Sequence, residues 1–326
     1  MRKLSSIEKY IMINSVKHIP VMLKQSIKAM NITPNGSYID ATFGFGGHSK
    51  MILDSLDETG KLYAVDKDLD AINMVDRDFT VDERFTLKHG CFSDLINHTK
   101  EWGVYGSVNG ILFDLGVSSH HLDEAKRGFS FNKKGIVDMR FDQSSGISAC
   151  DWIKDVDEET LSNVIWKFGD ERYSRRIARA IISQRDKEPI NDTAYLSKII
   201  DKAVPKNEKH KHNATRTFQA IRIFINRELD VLKEALNYSY NILAPKGRLV
   251  LITYHSLEDR VIKDFLSVTD ENLSTPRGLP IKSEFLKKMF NVVAKSIKPS
   301  SDEIKINPRS RSAKLNILEK VNEDHD

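Results

Sequence analysis

Few cysteines and no long apolar run restrict the class of protein to which this chain of 326 residues can belong. It has only two cysteines, Cys91 and Cys150, too few for a zinc site or a disulfide framework and consistent with a reducing compartment. It has no apolar run near the ~20 residues that cross a bilayer. We therefore expect a cytoplasmic globular protein that does not enter a membrane.

The segment before His18 lacks the apolar core of a signal peptide and the arginine-rich composition of a transit peptide. We interpret residues 1–17 as an N-terminal extension, with Met12 as an alternative first residue.

Charge is distributed unevenly along the chain. Residues 54–86 carry ten acidic and four basic side chains, whereas residues 202–227 carry seven basic and one acidic. Residues 277–314 carry ten basic and three acidic side chains. This asymmetry favours a polyanion partner, and the alternative is a lysine-rich surface that is merely solvated.

A cluster of glycines follows the first predicted strand. Gly44, Gly46 and Gly47 lie just after Asp40, in a segment that we call the glycine turn (residues 41–47), and Asp66 ends the next predicted strand. Glycine lets a backbone approach a ligand closely. A carboxylate about 20 residues further on is placed to accept hydrogen bonds from ribose hydroxyls. The pattern predicts a cofactor that contains a nucleoside.

One missing glycine narrows the choice of cofactor. A dinucleotide fingerprint needs a third glycine where Ser49 stands, and no Gly-Lys-Ser/Thr follows to make a P-loop. The missing glycine disfavours a nicotinamide dehydrogenase, and the second observation excludes a P-loop. A turn that allows close approach without a phosphate cradle favours S-adenosylmethionine. The alternative is a plain strand–turn–helix corner that uses glycine for steric reasons.

Short apolar runs alternate with helical patterns, as expected for a parallel sheet with crossover helices. The predicted strands are 37–41, 61–65, 84–88, 110–115 and 247–254, followed by a closing pair at 291–295 and 314–318.

More than 100 residues separate the fourth and fifth strands, far more than a crossover needs. We expect an inserted helical domain there, with helices at 151–168, 170–186 and 192–203, and a single long return helix over 218–243. Within 170–186, the helical period places Arg172, Arg176 and Arg179 on one face, which could meet phosphates or pair with Glu171 and Asp186.

Ligands of open parallel sheets bind at the carboxyl ends of the strands. Asp114 ends strand four and could either accept a proton from a substrate amine or anchor the amino end of the cofactor. The histidine pairs His120-His121 and His210-x-His212 have no carboxylate or cysteine partner at ligand spacing, so we expect no metal site.

A series of ordered sequence blocks is specific enough to suggest a family. They are Asp40-x-Thr42-Phe43-Gly44-x-Gly46-Gly47-His48-Ser49, Asp114-Leu115-Gly116-Val117-Ser118-Ser119, Arg127-Gly128-Phe129-Ser130-Phe131, Asp138-Met139-Arg140, Ala214-Thr215-Arg216-Thr217-Phe218-Gln219-Ala220 and His255-Ser256-Leu257-Glu258-Asp259-Arg260. In these blocks the chain resembles the bacterial ribosomal RNA small-subunit methyltransferase H family, also called MraW, and the resemblance extends from His18 to about Leu318.

The resemblance implies an α/β fold, a Rossmann-like class I methyltransferase sheet with an inserted mostly helical domain. We expect the methyltransferase domain over 18–119 and 216–320 and the RNA-substrate domain over 120–215. The implied activity is S-adenosyl-L-methionine-dependent N4-methylation of a cytidine in the decoding region of small-subunit (16S) ribosomal RNA. The implied partner is that RNA, in an assembled or assembling subunit, with neither membrane nor metal.

The resemblance also implies which residues contact the cofactor. Carried over by position, they are Gly46, Gly47, His48, Asp66, Phe92 and Asp114. A further family contact, normally a glutamine before Leu-Asp, falls on His121.

Two other functional classes stay open at this point. One is a methyltransferase that acts on DNA or protein. The other is a noncatalytic RNA-binding assembly factor, which we would expect to have lost Asp66, Asp114 or the glycine turn; all three are present.

Overall fold

The computed structural model describes residues 19–205, 212–269 and 289–322. The expectations for residues 1–17 and for His210 lie outside these ranges. The chain forms two compact units. The sheet unit comprises the described parts of Met1–Asp66, Asp70–Gly116 and Lys233–Asp326, and the helical unit comprises Lys67–Leu69 and the described parts of Val117–Leu232.

The sheet unit is built on seven strands in the order β3-β2-β1-β4-β5-β7-β6. Strands β1 to β5 are parallel, and β7 runs antiparallel to both β5 and β6. The strands are β1 (Ser37–Asp40), β2 (Lys61–Asp66), β3 (Phe85–His89), β4 (Val108–Asp114), β5 (Leu243–Thr253), β6 (Phe290–Ile297) and β7 (Lys314–Lys320). This order confirms the predicted Rossmann-like class I methyltransferase sheet, including its closing antiparallel pair.

The helices have the following bounds in chain order: α1 (Leu23–Met30), α2 (Gly47–Leu53), α3 (Leu69–Asn73), α4 (Arg77–Thr80), α5 (Leu95–Glu101), α6 (Ser119–Asp123), α7 (Ala149–Asp155), α8 (Glu158–Gly169), α9 (Ser174–Arg185), α10 (Thr193–Ala203), α11 (Ala214–Asn226), α12 (Glu228–Ile242), α13 (Ser256–Thr269) and α14 (Ser301–Ile306).

Strands β1 and β4 lie side by side at the centre of the sheet. Their connections leave toward opposite edges, which makes this pair the switch point where open parallel sheets bind ligands. Ile39 on β1 and the run Ile111–Phe113 on β4 are fully buried. A strand that is covered on both faces is a continuous run of apolar residues in the sequence. This is why these strands could be predicted from the sequence.

The helical unit has an apolar core of its own, in which Ile165 of α8, Ile177 of α9 and Ile200 of α10 are fully buried. Short polar side chains fix where its helices begin. Ser148 caps α7 and Asp157 caps α8, each accepting a hydrogen bond from a backbone N–H of the first turn. The predicted single helix over 151–168 is therefore two helices, divided by the cap at Asp157.

The prediction of one return helix over 218–243 is wrong. Helix α11 ends at Arg227, whose φ of 52° places it in the left-handed region, and α12 begins at the next residue. The N–H of Arg227 bonds back to carbonyls of Ile223 and Phe224, as in a glycine-type helix end. The helical spacing of apolar residues continues across the break, and an arginine at position 227 does not by itself predict a helix end.

The predicted arginine face is altered for a similar reason. Asp170 adopts a left-handed conformation that ends α8, and α9 begins only at Ser174, so Arg172 precedes the helix. Glu171 pairs with Arg216 at 3.7 Å and Asp186 with Arg185 at 3.7 Å, so neither acid neutralises the predicted face. The exposed arginines in this part of the helical unit are Arg172, Arg175, Arg176 and Arg179.

A buried ion pair lies inside the helical unit. Arg127 is fully buried, and its Nη1 donates to both carboxylate oxygens of Asp68 at 2.9 Å. Its Nη2 donates to the carbonyls of Arg140 at 3.0 Å and Phe141 at 2.8 Å. One side chain thus joins three chain segments and compensates a buried carboxylate.

Within the described ranges, no helix is long and apolar enough to span a membrane.

Substituting Arg127→Met should destabilise the helical unit by about 3–5 kcal/mol, because it leaves the Asp68 carboxylate buried without its cation. Urea unfolding measures this when it is followed by tryptophan fluorescence in a Trp102→Phe background, where Trp152 and Trp166 of the helical unit are the reporters. Arg179→Met is the matched control, since its exposed pair with Glu158 should contribute under about 1 kcal/mol. Equal urea midpoints for Arg127→Met and Arg179→Met would contradict the stabilising role that we assign to the buried Arg127–Asp68 pair.

Candidate active site

The carboxyl ends of the central strands of the sheet unit are joined by backbone hydrogen bonds. The N–H of Ala41 donates to the carbonyl of Leu112 at 2.9 Å, and that of Phe43 donates to Val65 at 3.0 Å. The chain leaving β1 is therefore fixed to β4 on one side and to β2 on the other. This places the glycine turn at the switch point of the sheet.

Asp66, the last residue of β2, lies against the glycine turn. Its Oδ2 accepts a hydrogen bond from the N–H of Gly44 at 2.6 Å. Gly44 has a φ of +54°, and among the described residues no atom outside its two chain neighbours lies within 4 Å of the point where a Cβ would stand. The carboxylate and the open side of the turn therefore face the same region, as the ribose-binding role predicted for Asp66 requires.

Gly46 and Gly47 are required by packing inside the protein. A Cβ on Gly46 would lie 2.6 Å from the ring of Phe79, and one on Gly47 would lie 2.1 Å from Cγ of Pro20. Gly46 also has a φ of +76°. The steric need for glycine at these two positions comes from protein neighbours. The N–H of Gly46 already donates to the carbonyl of Phe43 at 2.8 Å, so the N–H of Gly47, at the start of α2, is what the pair could offer a cofactor.

His48 is buried in the first turn of α2. Its Nε2 lies 3.2 Å from the carbonyl of Val21, and its Nδ1 lies 3.8 Å from Oδ2 of Asp114. Because a carbonyl only accepts, Nε2 carries the proton in the neutral ring. The imidazole therefore lies between the segment before α1 and the end of β4.

Asp114 ends β4 in a polar cluster. Its backbone N–H donates to the Thr42 hydroxyl at 2.8 Å, and its Oδ1 accepts a hydrogen bond from the Tyr254 hydroxyl at 2.7 Å. Burial raises the pKa of Asp114 to about 7, opposed by the Tyr254 bond and reinforced by the charges of Asp40 and Glu258. A carboxyl with a pKa near neutrality can exchange a proton with a substrate under physiological conditions.

Asp40 is a second buried carboxyl, at the end of β1. Its Oδ2 accepts from the Ser49 hydroxyl at 2.7 Å and its Oδ1 from the N–H of Thr42 at 3.2 Å. Burial raises its pKa to about 6, although both hydrogen bonds act in the opposite direction. Ser49, the residue that takes the place of the third glycine, thus fixes α2 to the end of β1.

Phe92 lies just beyond the end of β3 and packs edge-on against Phe113 of β4, with ring centroids 5.5 Å apart. It is only partly buried.

His121 belongs to the helical unit, and both of its ring nitrogens are engaged there. Nε2 lies 2.8 Å from Oδ2 of Asp68, and Nδ1 accepts from the N–H of Ser118 at 3.1 Å. Burial between the rings of Phe129 and Phe141 lowers the pKa of His121, which favours the neutral ring. A cofactor contact would need the ring to give up one of these bonds, so that role stays a prediction.

The structure brings together Gly46, Gly47, His48, Asp66, Phe92 and Asp114 in the sheet unit, at the ends of β1, β2, β3 and β4. Sequence reasoning missed the hydroxyls of Thr42 and Tyr254, which set the orientation of Asp114. Tyr254 had one signal, its position directly after the last residue of β5.

The sequence matches the profile of a family described as the MraW methylase family over residues 15–321. It is 48% identical over 304 residues to the ribosomal RNA small subunit methyltransferase H of Hydrogenovibrio crunogenus, covering 93% of this chain and 96% of that protein. Proteins of the same name from Alteromonas mediterranea and Legionella pneumophila are each 47% identical, covering 94% of this chain and 99% of theirs.

A solved structure described as a putative rRNA-methylase from Clostridium thermocellum covers 94% of this chain and 99% of its own, with a TM-score of 0.44 at 12% identity. That overlap is too low to carry an argument, and the fold assignment comes from the strand order.

Gly47→Ala should destabilise the sheet unit by about 1–3 kcal/mol, because the new methyl group overlaps the ring of Pro20. Adding Pro20→Ala removes the overlapping atom, so the double variant should lose less stability than the sum of the two single variants. Thermal or urea unfolding of all four proteins checks this. If the stability losses of the two single variants simply add, the methyl group introduced at position 47 does not collide with Pro20.

Proposed function

The chain belongs to the MraW methylase family, and from this we propose that it transfers the methyl group of S-adenosylmethionine to N4 of a cytidine in the decoding region of small-subunit ribosomal RNA. The observation that carries the proposal is the hydrogen bond between Asp66 and the N–H of Gly44 at the switch point of the sheet. This bond supports the proposal because it holds the carboxylate that we propose to bind the ribose against the glycine turn. Asp114 lies across the turn, linked to it through Thr42.

The residues present fit the cofactor. Gly44 leaves open the space that a side chain would fill, and Asp66 lies beside it. We propose that Asp66 binds the ribose hydroxyls and that Phe92 packs on the adenine. The backbone of Gly46 and Gly47, together with His48, would hold the amino acid end, and Asp114 would contribute there in its alternative role as an anchor. When bound, the cofactor supplies a methyl group on a positively charged sulfur.

Asp114 suits a reaction in which an amine loses a proton. Positioning supplies much of the rate of a methyl transfer, and the acceptor nitrogen must shed one proton as it forms the new bond. With a pKa raised to about 7, the Asp114 carboxylate can take up a proton at neutral pH and release it again. The alternative role, anchoring the amino end of the cofactor, would occupy the same carboxylate, so the two roles compete for Asp114.

Relatives at 47–48% identity over nearly the whole chain are named as ribosomal RNA methyltransferases, which favours RNA over DNA or protein as the substrate. A noncatalytic assembly factor is disfavoured because Asp66, Asp114 and the glycine turn are in place in the fold.

We propose that residues 120–215 form the RNA-substrate domain and that exposed arginines around the start of α9 contact phosphates. Arg172 lies over the ring of Tyr173 at 4.7 Å, while Arg175 and Arg176 are exposed on the helix. Trp166 on α8 is 59% exposed and offers a ring on which a base could stack. We further propose that the protein acts in the cytoplasm, on small subunits during or after assembly.

The proposal is tested by methyl transfer from labelled cofactor to small subunits that lack the modification, followed by nucleoside mass spectrometry. We expect N4-methylcytidine, and we expect Asp114→Ala to abolish its formation. Label in another nucleoside would correct the target. Cofactor binding without transfer to these subunits would favour another acceptor, such as DNA or protein. Absence of both transfer and cofactor binding would favour the noncatalytic alternative.

Asp66→Ala should weaken cofactor binding roughly 10- to 100-fold, the effect of losing hydrogen bonds to a charged acceptor. Isothermal titration calorimetry measures the dissociation constant. Asp54→Ala is the control, because Asp54 is an exposed acid of the same unit that pairs only loosely with Lys50 at 3.8 Å. Unchanged affinity in Asp66→Ala would rule out the ribose contact.

Replacing Arg172, Arg176 and Arg179 by methionine should weaken RNA binding and reduce the slope of log affinity against log salt by about 2–3. The matched control replaces three exposed lysines of the sheet unit, Lys24, Lys28 and Lys100. Binding assays from 50 to 300 mM salt compare the two triple variants. An equal slope in the arginine variant and the unmodified protein would place the phosphate contacts elsewhere.

A further inference from the structure

The hydroxyl of Tyr254 donates to Oδ1 of Asp114 at 2.7 Å, a contact that the family resemblance does not assign. Tyr254 follows the last residue of β5, so its side chain comes from the strand next to that of Asp114. Its ring lies against Gly116, where an added Cβ would be 3.3 Å from the ring. Gly116 has a φ of +95°, which favours glycine there.

The backbone of Tyr254 is held by the first turn of α13. Oε2 of Glu258 accepts from the N–H of Tyr254 at 2.7 Å and from the N–H of His255 at 3.2 Å. Glu258 is only 2% exposed. The preceding residue is fixed as well, since the Thr253 hydroxyl donates to Asp259 at 2.7 Å. The Tyr254 ring is thus oriented by both its backbone and its packing.

The two oxygens of Asp114 are therefore not equivalent. Oδ1 accepts from Tyr254, whereas Oδ2 points toward His48, whose Nδ1 is 3.8 Å away. With the proton of the neutral imidazole directed at the carbonyl of Val21, Nδ1 does not donate to Oδ2. A substrate group that approaches Asp114 would meet Oδ2.

We propose that Tyr254 is a positioning residue that fixes the Asp114 carboxylate so that Oδ2 accepts the proton of the substrate amine. This inference rests on the proposed methyl transfer. The nitrogen lone pair forms the new N–C bond, the electrons of the broken S–C bond stay on sulfur as a thioether, and the proton passes from nitrogen to Oδ2. The electron pair of the N–H bond stays on nitrogen, and Asp114 later releases the proton to water.

The charged groups around Asp114 determine how its pKa responds when the Tyr254 hydroxyl is removed. Asp40 on β1 and Glu258 on α13 are acids that raise its pKa, and His48 on α2 faces Oδ2. The Tyr254 bond acts in the opposite direction, because donation to the carboxylate stabilises its charged form. Without the hydroxyl, the pKa of Asp114 rises further, and less carboxylate is present at neutral pH.

The test is Tyr254→Phe, which keeps the ring and removes only the donor. The titration of Asp114 is followed by carbon-13 NMR of labelled aspartate carboxyls, with its signal assigned from the spectrum of Asp114→Asn. In Tyr254→Phe the titration midpoint of Asp114 should move up by about one pH unit. The turnover number at pH 7 should fall roughly 3- to 10-fold and recover above about pH 8.5, while cofactor affinity stays within about twofold. Tyr105→Phe, at an exposed position of the same unit, should change none of these.

Unchanged titration and an unchanged pH profile in Tyr254→Phe would overturn the proposal. Loss of cofactor affinity with an unshifted profile would also overturn it, by assigning Oδ2 to the cofactor's amino end. If the unmodified protein transfers no methyl group, the proposed function fails by itself. The NMR titration, which needs no turnover, would then still decide whether Tyr254 controls Asp114.

Discussion

The site depends on how the glycine turn is held between its two neighbouring strands. Asp66 of β2 accepts from the N–H of Gly44, and Thr42 in the turn accepts from the N–H of Asp114 at the end of β4. The turn is the donor in the first bond and the acceptor in the second. Each bond fixes the turn to a residue that we propose to act in cofactor binding or in methyl transfer. Because the turn is tied on both sides, the distance between the proposed ribose carboxylate and the proposed base is set by the sheet itself.

The same strand ends concentrate acids in a buried region. Asp40 at the end of β1, Asp114 at the end of β4 and Glu258 in the first turn of α13 lie near one another. Burial raises the pKa of Asp40 to about 6 and that of Asp114 to about 7. The cluster is held by donors: Ser49 and the N–H of Thr42 for Asp40, and Tyr254 for Asp114. A positively charged sulfonium is a suitable ligand for such a region, and a carboxyl near neutrality is a suitable proton acceptor.

Much of the fold could be predicted because its signals are local. Buried parallel strands such as β4 are continuous apolar runs, and the glycine turn with Asp66 has a characteristic spacing. The break at Arg227 could not be predicted, because this residue adopts a left-handed conformation without glycine or proline to mark it. The break beside Asp170 was predicted between residues 168 and 170, but the next helix begins only at Ser174. The role of Tyr254 was equally hidden, since its partner Asp114 is 140 residues away in sequence and only strand pairing brings the two together. His121 aligned with a family contact, yet tertiary packing engages its ring with Asp68 and Ser118.

The most direct test of the account is hydrogen–deuterium exchange with and without S-adenosylmethionine, read at the carboxyl ends of the strands. The account predicts that the cofactor slows exchange of amides in residues 41–48, which contain the glycine turn, and in the segments that follow β2, β3 and β4. Exchange at the edge strand β6 should not change. Protection confined to other parts of the sheet unit, with these strand ends exchanging as before, would contradict the placement of the site.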